Sequence, residues 1–170
     1  MIFLISMILS LTLMTAPISE YDRATAYYYI YTYGTDEMRM ELPMEYLADQ
    51  AGMDISEFEL LARVIEAESD RSNDLEAKVM IAACILNRVE SDIFPDTVTG
   101  VLTQSGQFST VSGGWCSTSY TKRSAYSIIV ALEQDYIPTN VLFFNCIGYN
   151  YGTPYGVYGD NYFMTYGEEN

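Results

Sequence analysis

The chain of 170 residues contains no histidine. Catalysis by a histidine base, Ser–His and Cys–His nucleophile pairs, and histidine metal ligands are therefore excluded. The three cysteines, Cys84, Cys116 and Cys146, form no CxxC pair. A zinc site or a thioredoxin-type redox motif consequently has no support. We expect neither a metal nor a cofactor.

The cysteines are widely spaced, and their contexts differ. Cys84 stands in the apolar run MIAACIL, which is typical of a buried thiol. Cys116 and Cys146 fall in predicted loop or strand-end positions. In an oxidising compartment these two could form a disulfide and leave Cys84 free, but spacing does not determine connectivity.

Basic residues are few: 8 lysines and arginines stand against 23 aspartates and glutamates, a formal charge of −15. Such a surface repels phosphate backbones, so nucleic-acid binding is not expected. The same charge disfavours docking on anionic membranes. With 49% hydrophobic residues the chain can bury the core of one domain.

The first 16 residues, MIFLISMILSLTLMTA, are apolar and uncharged. Their length fits the apolar core of a secretory signal better than a full membrane span, which needs about 20 residues. We therefore expect a secreted or wall-associated protein. An uncleaved membrane anchor or a buried helix is the alternative.

Residues 17–53 are predicted to form a linker and a short helix. The linker is rich in tyrosine, with a possible short strand over Tyr28–Tyr33. An aromatic surface for sugars is the alternative reading of these rings. Pro43–Gly52 is typical of a short helix that ends at the glycine.

The next segment predicts a helix that starts at Asp54. Asp54 can cap it, and Glu57 completes a capping-box pattern. Apolar residues then recur at the spacing of one buried helical face, namely Phe58, Leu61, Ala62 and Ile65.

One glutamate late in this helix is predicted to point inward. At about 100° per residue, Glu68 falls between Leu61 and Val64. Glu66 falls on the opposite side, which the pattern assigns to solvent. Most glutamates near a helix end are solvated or paired with a neighbour, and Arg63 or Arg71 could be such a partner.

A second helix is predicted from Asn73 or Asp74, and Val79–Leu86 is apolar on all sides. A helix of this kind is buried all round, so we expect it at the centre of the domain. Arg88 is expected to interact with the carbonyl groups at its C-terminal end.

The remaining chain predicts two more helices and two strands. A short third helix is expected to start at Phe94–Asp96, and Gly113 and Gly114 to form a flexible connector. A fourth helix over Tyr120–Gln134 is expected to be capped by Ser119, with an apolar stripe made by Ala125, Ile128, Ile129 and Leu132.

Two strands, Val141–Asn145 and Val157–Tyr166, are predicted to form a small antiparallel hairpin, with a loop over Gly148–Gly156 between them. The fold class is therefore α+β, mainly α.

Without histidine or metal, a carboxylic acid is the remaining general acid. An apolar setting raises the pKa of a carboxyl group, which can then donate a proton to the leaving oxygen of a sugar. Most glycosidases need a second carboxylate. One suffices where a hydroxyl of the cleaved sugar is the nucleophile.

The segment Leu60–Val89, with LLAR, the Ala-Glu pair and LNRV, resembles the signature of the SleB-type cell wall hydrolases. The resemblance continues through Phe94–Val111, Val141–Asn145 and Tyr158–Tyr166. It implies a lysozyme-like domain over residues 54–170, similar in fold to resuscitation-promoting factors. It also implies cleavage of peptidoglycan glycan strands between N-acetylmuramic acid and N-acetylglucosamine, chiefly by lytic transglycosylation.

By position, the resemblance makes Glu68 the catalytic acid. It places Gln107 and Phe108 along the glycan cleft, and Asn145 and Tyr162 on the far wall. We expect such an enzyme to act as a monomer.

Two positions depart from the family pattern, since Ala67-Glu68-Ser69 replaces Gly-Glu-Ala and Cys146 replaces a proline. Ser69 could hydrogen-bond the acid. A muramidase that uses water, helped by Asp70 or Asp160, and a non-catalytic glycan-binding protein remain the alternatives.

Overall fold

A computed structural model of the protein describes residues 20–69, 73–133 and 137–167. Helices dominate these ranges, and a small antiparallel sheet lies near the C-terminus, so the predicted α+β, mainly α class is confirmed. The helices are α1 Glu20–Tyr33, α2 Asp36–Met40, α3 Met44–Gln50, α4 Ile55–Glu68, α5 Leu75–Val89, α6 Val98–Thr103 and α7 Lys122–Glu133. The strands are β1 Val111–Ser112, β2 Trp115–Cys116, β3 Val141–Asn145, β4 Thr153–Tyr158 and β5 Asn161–Thr165.

The tyrosine-rich segment is a helix, so the predicted linker with a short strand is wrong. Tyr27 and Tyr31 are four residues apart and share one face of α1. Both rings meet Tyr46 of α3 edge-on, with centroids 5.5 and 6.0 Å away. This packing outweighs the strand preference of tyrosine. The rings of Tyr28, Tyr29 and Tyr33 are exposed.

The predicted short helix is confirmed as α3, and Gly52 follows it. Gly52 has a φ of 66°, a left-handed conformation that glycine adopts without steric cost and that commonly ends helices.

Helix α4 begins after Asp54, as predicted, but the capping box does not form. The Asp54 side chain makes no capping hydrogen bond. The Glu57 carboxylate instead accepts hydrogen bonds from the backbone N–H and the hydroxyl of Thr99, at 2.8 and 2.9 Å. Glu57 therefore ties α4 to α6. The apolar face is buried as predicted, at Phe58, Leu61, Ala62 and Ile65.

Helix α5 is the central helix, as predicted. Asp74 caps it, accepting a hydrogen bond from the N–H of Glu76 at 3.0 Å. Helices α4, α6 and α7 and strand β3 pack around it, and every residue from Val79 to Ile85 is buried.

The prediction that Glu66 faces solvent is wrong. Its carboxylate is buried and accepts hydrogen bonds from Lys78 Nζ and the Thr121 hydroxyl, both at 2.8 Å. Helix α7 covers this side of α4, which the apolar pattern of α4 alone does not reveal. Burial acts to raise the pKa of Glu66, but the hydrogen bonds from Lys78 and Thr121 outweigh burial and hold that pKa below its ordinary value.

Helix α6 starts later than predicted, at Val98. Thr97 is its N-cap, and its hydroxyl accepts a hydrogen bond from the N–H of Gly100 at 3.1 Å. Threonine is a preferred capping residue. Phe94–Asp96 therefore precedes the helix.

The predicted glycine connector is the turn of a hairpin that joins β1 to β2. Gly113 and Gly114 have φ values of 59° and 77°, the positive pair that a type I′ hairpin turn requires. The hairpin buries Cys116, whereas Cys146 is exposed. Cys84, Cys116 and Cys146 are all free thiols, so the structure contains no Cys116–Cys146 disulfide.

Helix α7 begins after Thr121, and Ser119 does not cap it. The Thr121 hydroxyl accepts from the N–H of Ser124 at 3.2 Å, and the Ser124 hydroxyl accepts from the N–H of Thr121 at 2.9 Å. This reciprocal pair satisfies two N–H groups at the helix start. Of the predicted stripe, Leu132 is 45% exposed, and the buried members are Ala125, Ile128 and Ile129.

The C-terminal sheet has three strands in the order β3-β5-β4, all antiparallel. The predicted two-stranded hairpin is therefore incomplete, because β4 begins inside the segment assigned to a loop. The sequence does not predict this strand, because its glycine and tyrosine residues do not give a regular alternation of apolar and polar side chains. Gly159, with a φ of 57°, lies in the turn between β4 and β5.

The predicted signal or anchor, residues 1–16, lies outside the described residues, as do Asp70 and Arg71. Within the described ranges, no helix is long and apolar enough to cross a bilayer.

Replacement of Lys78 by methionine should lower the free energy of unfolding by about 3–5 kcal/mol, because the buried Glu66 carboxylate would lose its counter-charge. Urea denaturation measures this change. Lys122→Met is the matched control, since the Lys122–Glu41 pair is exposed and such pairs contribute little. Equal stability losses in the two variants would contradict the assignment.

Candidate active site

A cavity of about 410 Å³ lies where the end of α4 meets the sheet. Its lining comes from the last turn of α4, the end of α5, the loop after α6, the end of β3 with the two residues that follow it, and the start of β5 with the residue before it. The lining residues are Ala67, Glu68, Arg88, Gln107, Phe108, Phe144, Asn145, Cys146, Ile147, Asp160 and Asn161.

Glu68 is the last residue of α4 and is half-buried in this cleft, as the helical wheel predicted. Its backbone carbonyl accepts a hydrogen bond from Asn161 Nδ2 at 2.9 Å. Asn161 opens strand β5, so this bond fixes the sheet to the turn that bears the acid.

Burial raises the pKa of Glu68 above its ordinary value. The positive charge of Arg88 and the Thr110 hydroxyl act in the opposite direction and only partly offset burial. The buried Thr110 Oγ1 atom forms no hydrogen bond of ordinary length within the described residues, so its effect on Glu68 acts over a longer distance and is the smallest of the three. The cleft therefore favours the protonated acid at a higher pH than water would.

Arg88 is a charged residue in the lining of the cleft. The prediction that it interacts with the C-terminal end of its own helix is wrong. Its Nε donates to the carbonyl of Leu142 at 2.7 Å, and its Nη1 donates to Gln107 Oε1 at 3.3 Å. Three rings, Phe94, Phe108 and Phe144, lie 5.0–5.6 Å from its guanidinium.

These contacts hold the Arg88 cation beside Glu68 without a direct ion pair among the salt bridges of the described residues. Burial lowers the pKa of Arg88, and Cys84 and Glu68 act to raise it. The sequence contained a signal for Arg88, since it is a charged residue at the end of a helix that is otherwise apolar on all sides.

Three of the predicted substrate-contacting residues line the cleft. Gln107 is exposed there, and Asn145 lies at the end of β3. The Asn145 Oδ1 accepts from the N–H groups of Ile147 and Gly148, at 2.8 and 3.0 Å, which leaves its amide NH₂ as the donor for a ligand. Phe108 is only 6% exposed and forms the floor.

Tyr162 is not among the residues that line this cavity. Successive residues of a strand point to opposite faces, and its neighbour Asn161 points toward α4. The Tyr162 ring instead packs edge-on against Tyr149, with centroids 5.1 Å apart. Strand alternation within the motif YGDNYF was the signal that would have favoured Asn161.

Two polar residues near Glu68 have different surroundings: Ser69 contacts Glu66 and Lys78, and Asp160 lies in the cleft. Ser69 does not hydrogen-bond the Glu68 side chain, since its hydroxyl donates to the carbonyl of Glu66 at 3.2 Å and accepts from Lys78 at 2.8 Å. Asp160 lines the cleft and is exposed. The described part of the chain contains no group of three or more His, Cys, Asp or Glu residues that could hold a metal ion.

Comparison with known proteins gives consistent matches. Residues 72–153 match the family model for cell wall hydrolases. A spore cortex-lytic enzyme of Oceanobacillus iheyensis is 38% identical over 63 residues, which is 37% of this chain and 22% of that protein.

Two solved structures have a similar fold. The catalytic domain of the germination-specific lytic transglycosylase SleB from Bacillus anthracis superimposes with a TM-score of 0.58 and 23% identity, over 67% of this chain and 98% of that one. The catalytic domain of Bacillus cereus SleB gives 0.56 and 24%, over 66% and 91%. The chain is thus similar to cell wall hydrolases over residues 72–153 and has the fold of the SleB catalytic domains.

The lysozyme-like fold predicted from sequence is thereby confirmed. The family match starts at residue 72, so it does not include Glu68. The 63 residues that align with the Oceanobacillus protein make up only about a fifth of that protein. The assignment of a role to Glu68 thus depends on the geometry of the cleft.

Replacement of Glu68 by glutamine should stabilise the protein increasingly as the pH rises from about 4 to about 7. Because the folded-state pKa of Glu68 is raised, its stabilising contribution is present below the unfolded-state pKa and is lost as the pH rises through the folded-state value. Glutamine does not titrate.

Urea denaturation across this pH range measures the difference in unfolding free energy between variant and wild type. Glu90→Gln, at an exposed position, is the matched control for loss of one carboxylate. A difference for Glu68→Gln that shrinks with rising pH would show that the pKa is not raised.

Proposed function

We propose that this protein is a SleB-type enzyme that cleaves peptidoglycan glycan strands between N-acetylmuramic acid and N-acetylglucosamine, with Glu68 as the catalytic acid. The observation that carries the proposal is the Glu68 carboxyl, half-buried in a 410 Å³ cleft with its pKa raised. Such a carboxyl keeps its proton to a higher pH than a solvated glutamate and can transfer it to a glycosidic oxygen.

The reaction we favour is lytic transglycosylation. Protonated Glu68 donates its proton to the bridging oxygen, and the bond from C1 of muramic acid to that oxygen breaks. The 6-hydroxyl of the same muramic acid attacks C1 and forms a 1,6-anhydro ring. The Glu68 carboxylate accepts the proton of that hydroxyl, so the enzyme returns to its starting state.

Arg88 fits the intermediate stage of this cycle. Between the two proton transfers Glu68 is an anion, and the buried Arg88 guanidinium is the nearby cation that lowers its pKa. The cation thus stabilises the carboxylate after it has given up its proton, while burial favours the protonated form in the free enzyme.

The cleft walls fit a polar sugar chain. Gln107 and the amide NH₂ of Asn145 are placed to hydrogen-bond hydroxyl or acetamido groups, and Phe108 supplies an apolar floor. The similar proteins support this choice of substrate, since one is named a spore cortex-lytic enzyme and another a germination-specific lytic transglycosylase.

Hydrolysis by water is the second candidate, because Asp160 lines the same cleft as Glu68. A carboxylate across the cleft could act as the base that most inverting glycosidases use. The product then carries a reducing end instead of an anhydro end. For either reaction we propose action outside the cell membrane, with residues 1–16 as the export signal or anchor.

Glu68→Gln should reduce peptidoglycan cleavage by about 10²- to 10⁴-fold, the usual contribution of a general acid. Mass spectrometry of digested peptidoglycan measures both the rate and the product. Wild-type digests should contain 1,6-anhydromuramic ends. Asp160→Asn is the matched control and should leave their yield largely unchanged.

Other outcomes of this experiment select the competing functions. Reducing ends that disappear in Asp160→Asn would establish the hydrolytic route. Full lytic activity in Glu68→Gln would overturn the site assignment. A wild-type protein that binds insoluble wall material without cleaving it would be a glycan-binding protein.

A further inference from the structure

A second polar site lies behind the catalytic turn, and the proposed reaction does not use it. Its centre is the ion pair between Glu66 and Lys78, with Oε2 and Nζ 2.8 Å apart. Both residues are buried: Lys78 is 0% exposed and Glu66 4%. A buried ion pair of this kind is uncommon, because lysine and glutamate are seldom fully buried.

The pair joins three helices at one point. Glu66 lies in the last turn of α4, Lys78 in the first turns of α5, and Thr121, which donates to Glu66 at 2.8 Å, just before α7. Lys78 Nζ also donates to Ser69 Oγ at 2.8 Å, and that hydroxyl donates to the Glu66 carbonyl at 3.2 Å.

Residues of this network lie on both sides of Glu68 in the chain. Glu66 lies two residues before the acid, and Ser69 is the residue after it. The same turn is held from the other side by the bond from Asn161 to the Glu68 carbonyl. The backbone that carries the acid is therefore fixed between the ion pair on one side and the sheet on the other.

Stability is a weak explanation for this pair. Two charges must be taken out of water, and an apolar pair of similar volume is often as stable or more stable. Loss of one partner is costly, but that cost measures the charge left behind. A feature that contributes little net stability at this position is better explained by the geometry that it imposes.

We propose that Glu66 and Lys78 are positioning residues, which hold the last turn of α4 so that Glu68 stays aligned in the cleft. This inference rests on the proposed function of Glu68. Displacement of a catalytic group by about 1 Å can lower the rate about 100-fold. Direct hydrogen bonds between three helices restrain the turn more than apolar contacts, which have no direction.

The test is the double variant Glu66→Leu/Lys78→Met, which removes both charges together and so leaves no unpaired ion. It should remain folded. Its kcat on peptidoglycan fragments should fall about 10- to 100-fold while KM stays within about twofold. Amide hydrogen exchange at Ser69, whose N–H donates to the Ile65 carbonyl at 3.0 Å, should become at least about tenfold faster.

Two further variants separate positioning from stability. Ile128→Val trims a fully buried side chain of α7 and costs some stability, but it should leave both kcat and Ser69 exchange unchanged. Ser69→Ala breaks the link from Lys78 to the turn without removing a charge. It should shift both readouts in the same direction as the double variant, by a smaller factor, and it decides the question if the double variant does not fold.

The outcomes distinguish this inference from the proposed function. An unchanged kcat in the double variant overturns the inference and leaves the role of Glu68 intact. A lower kcat with unchanged Ser69 exchange also overturns it, because the effect would not pass through the turn. If wild-type protein cleaves no peptidoglycan, the proposed function fails, and Ser69 exchange alone decides whether the pair holds this turn.

Discussion

The structure depends on the burial of one carboxyl group at the place where a helix ends against a sheet. Glu68 is half-buried because Asn161 brings β5 to the last turn of α4 and the loop after α6 contributes Gln107 and Phe108 to the lining of the same cleft. Burial alone would make an anion at this position costly. The Arg88 cation, fixed by the Leu142 carbonyl and by three aromatic rings, lowers that cost. The result is an acid whose protonated form is favoured by burial and whose ionised form is stabilised by a nearby cation, which suits the transfer of a proton in both directions.

Two glutamates, two residues apart, have opposite environments. Glu66 meets a lysine and a hydroxyl, and its pKa falls below the ordinary value. Glu68 meets an apolar wall and a more distant cation, and its pKa rises. Environments that move two carboxyl pKa values apart give the two groups different chemical roles. The short spacing is possible because residues two apart on a helix point in very different directions, here toward α7 and toward the cleft.

Sequence reasoning predicted the central helix, the position of α4 and the inward direction of Glu68, because each depends on the local pattern of apolar residues. It failed where a second element decides the outcome. The apolar pattern of α4 places Glu66 in solvent because α7, which covers it, lies more than fifty residues later in the chain. The sequence places Arg88 at a helix end because the Leu142 carbonyl that it contacts belongs to a later strand. Strand β4 lacks the alternation of a half-buried strand because it contains glycine and tyrosine, and β1 and β2 have two residues each, which is too short to show any alternation.

The most direct test of this account is an NMR titration of the Glu68 carboxyl carbon in the wild-type protein, assigned by comparison with Glu68→Gln. We predict a pKa clearly above that of an unperturbed glutamate, which is about 4.3. A pKa at or below that value would mean that Glu68 is ionised in the free enzyme and cannot supply the proton, and it would contradict the assignment of Glu68 as the catalytic acid.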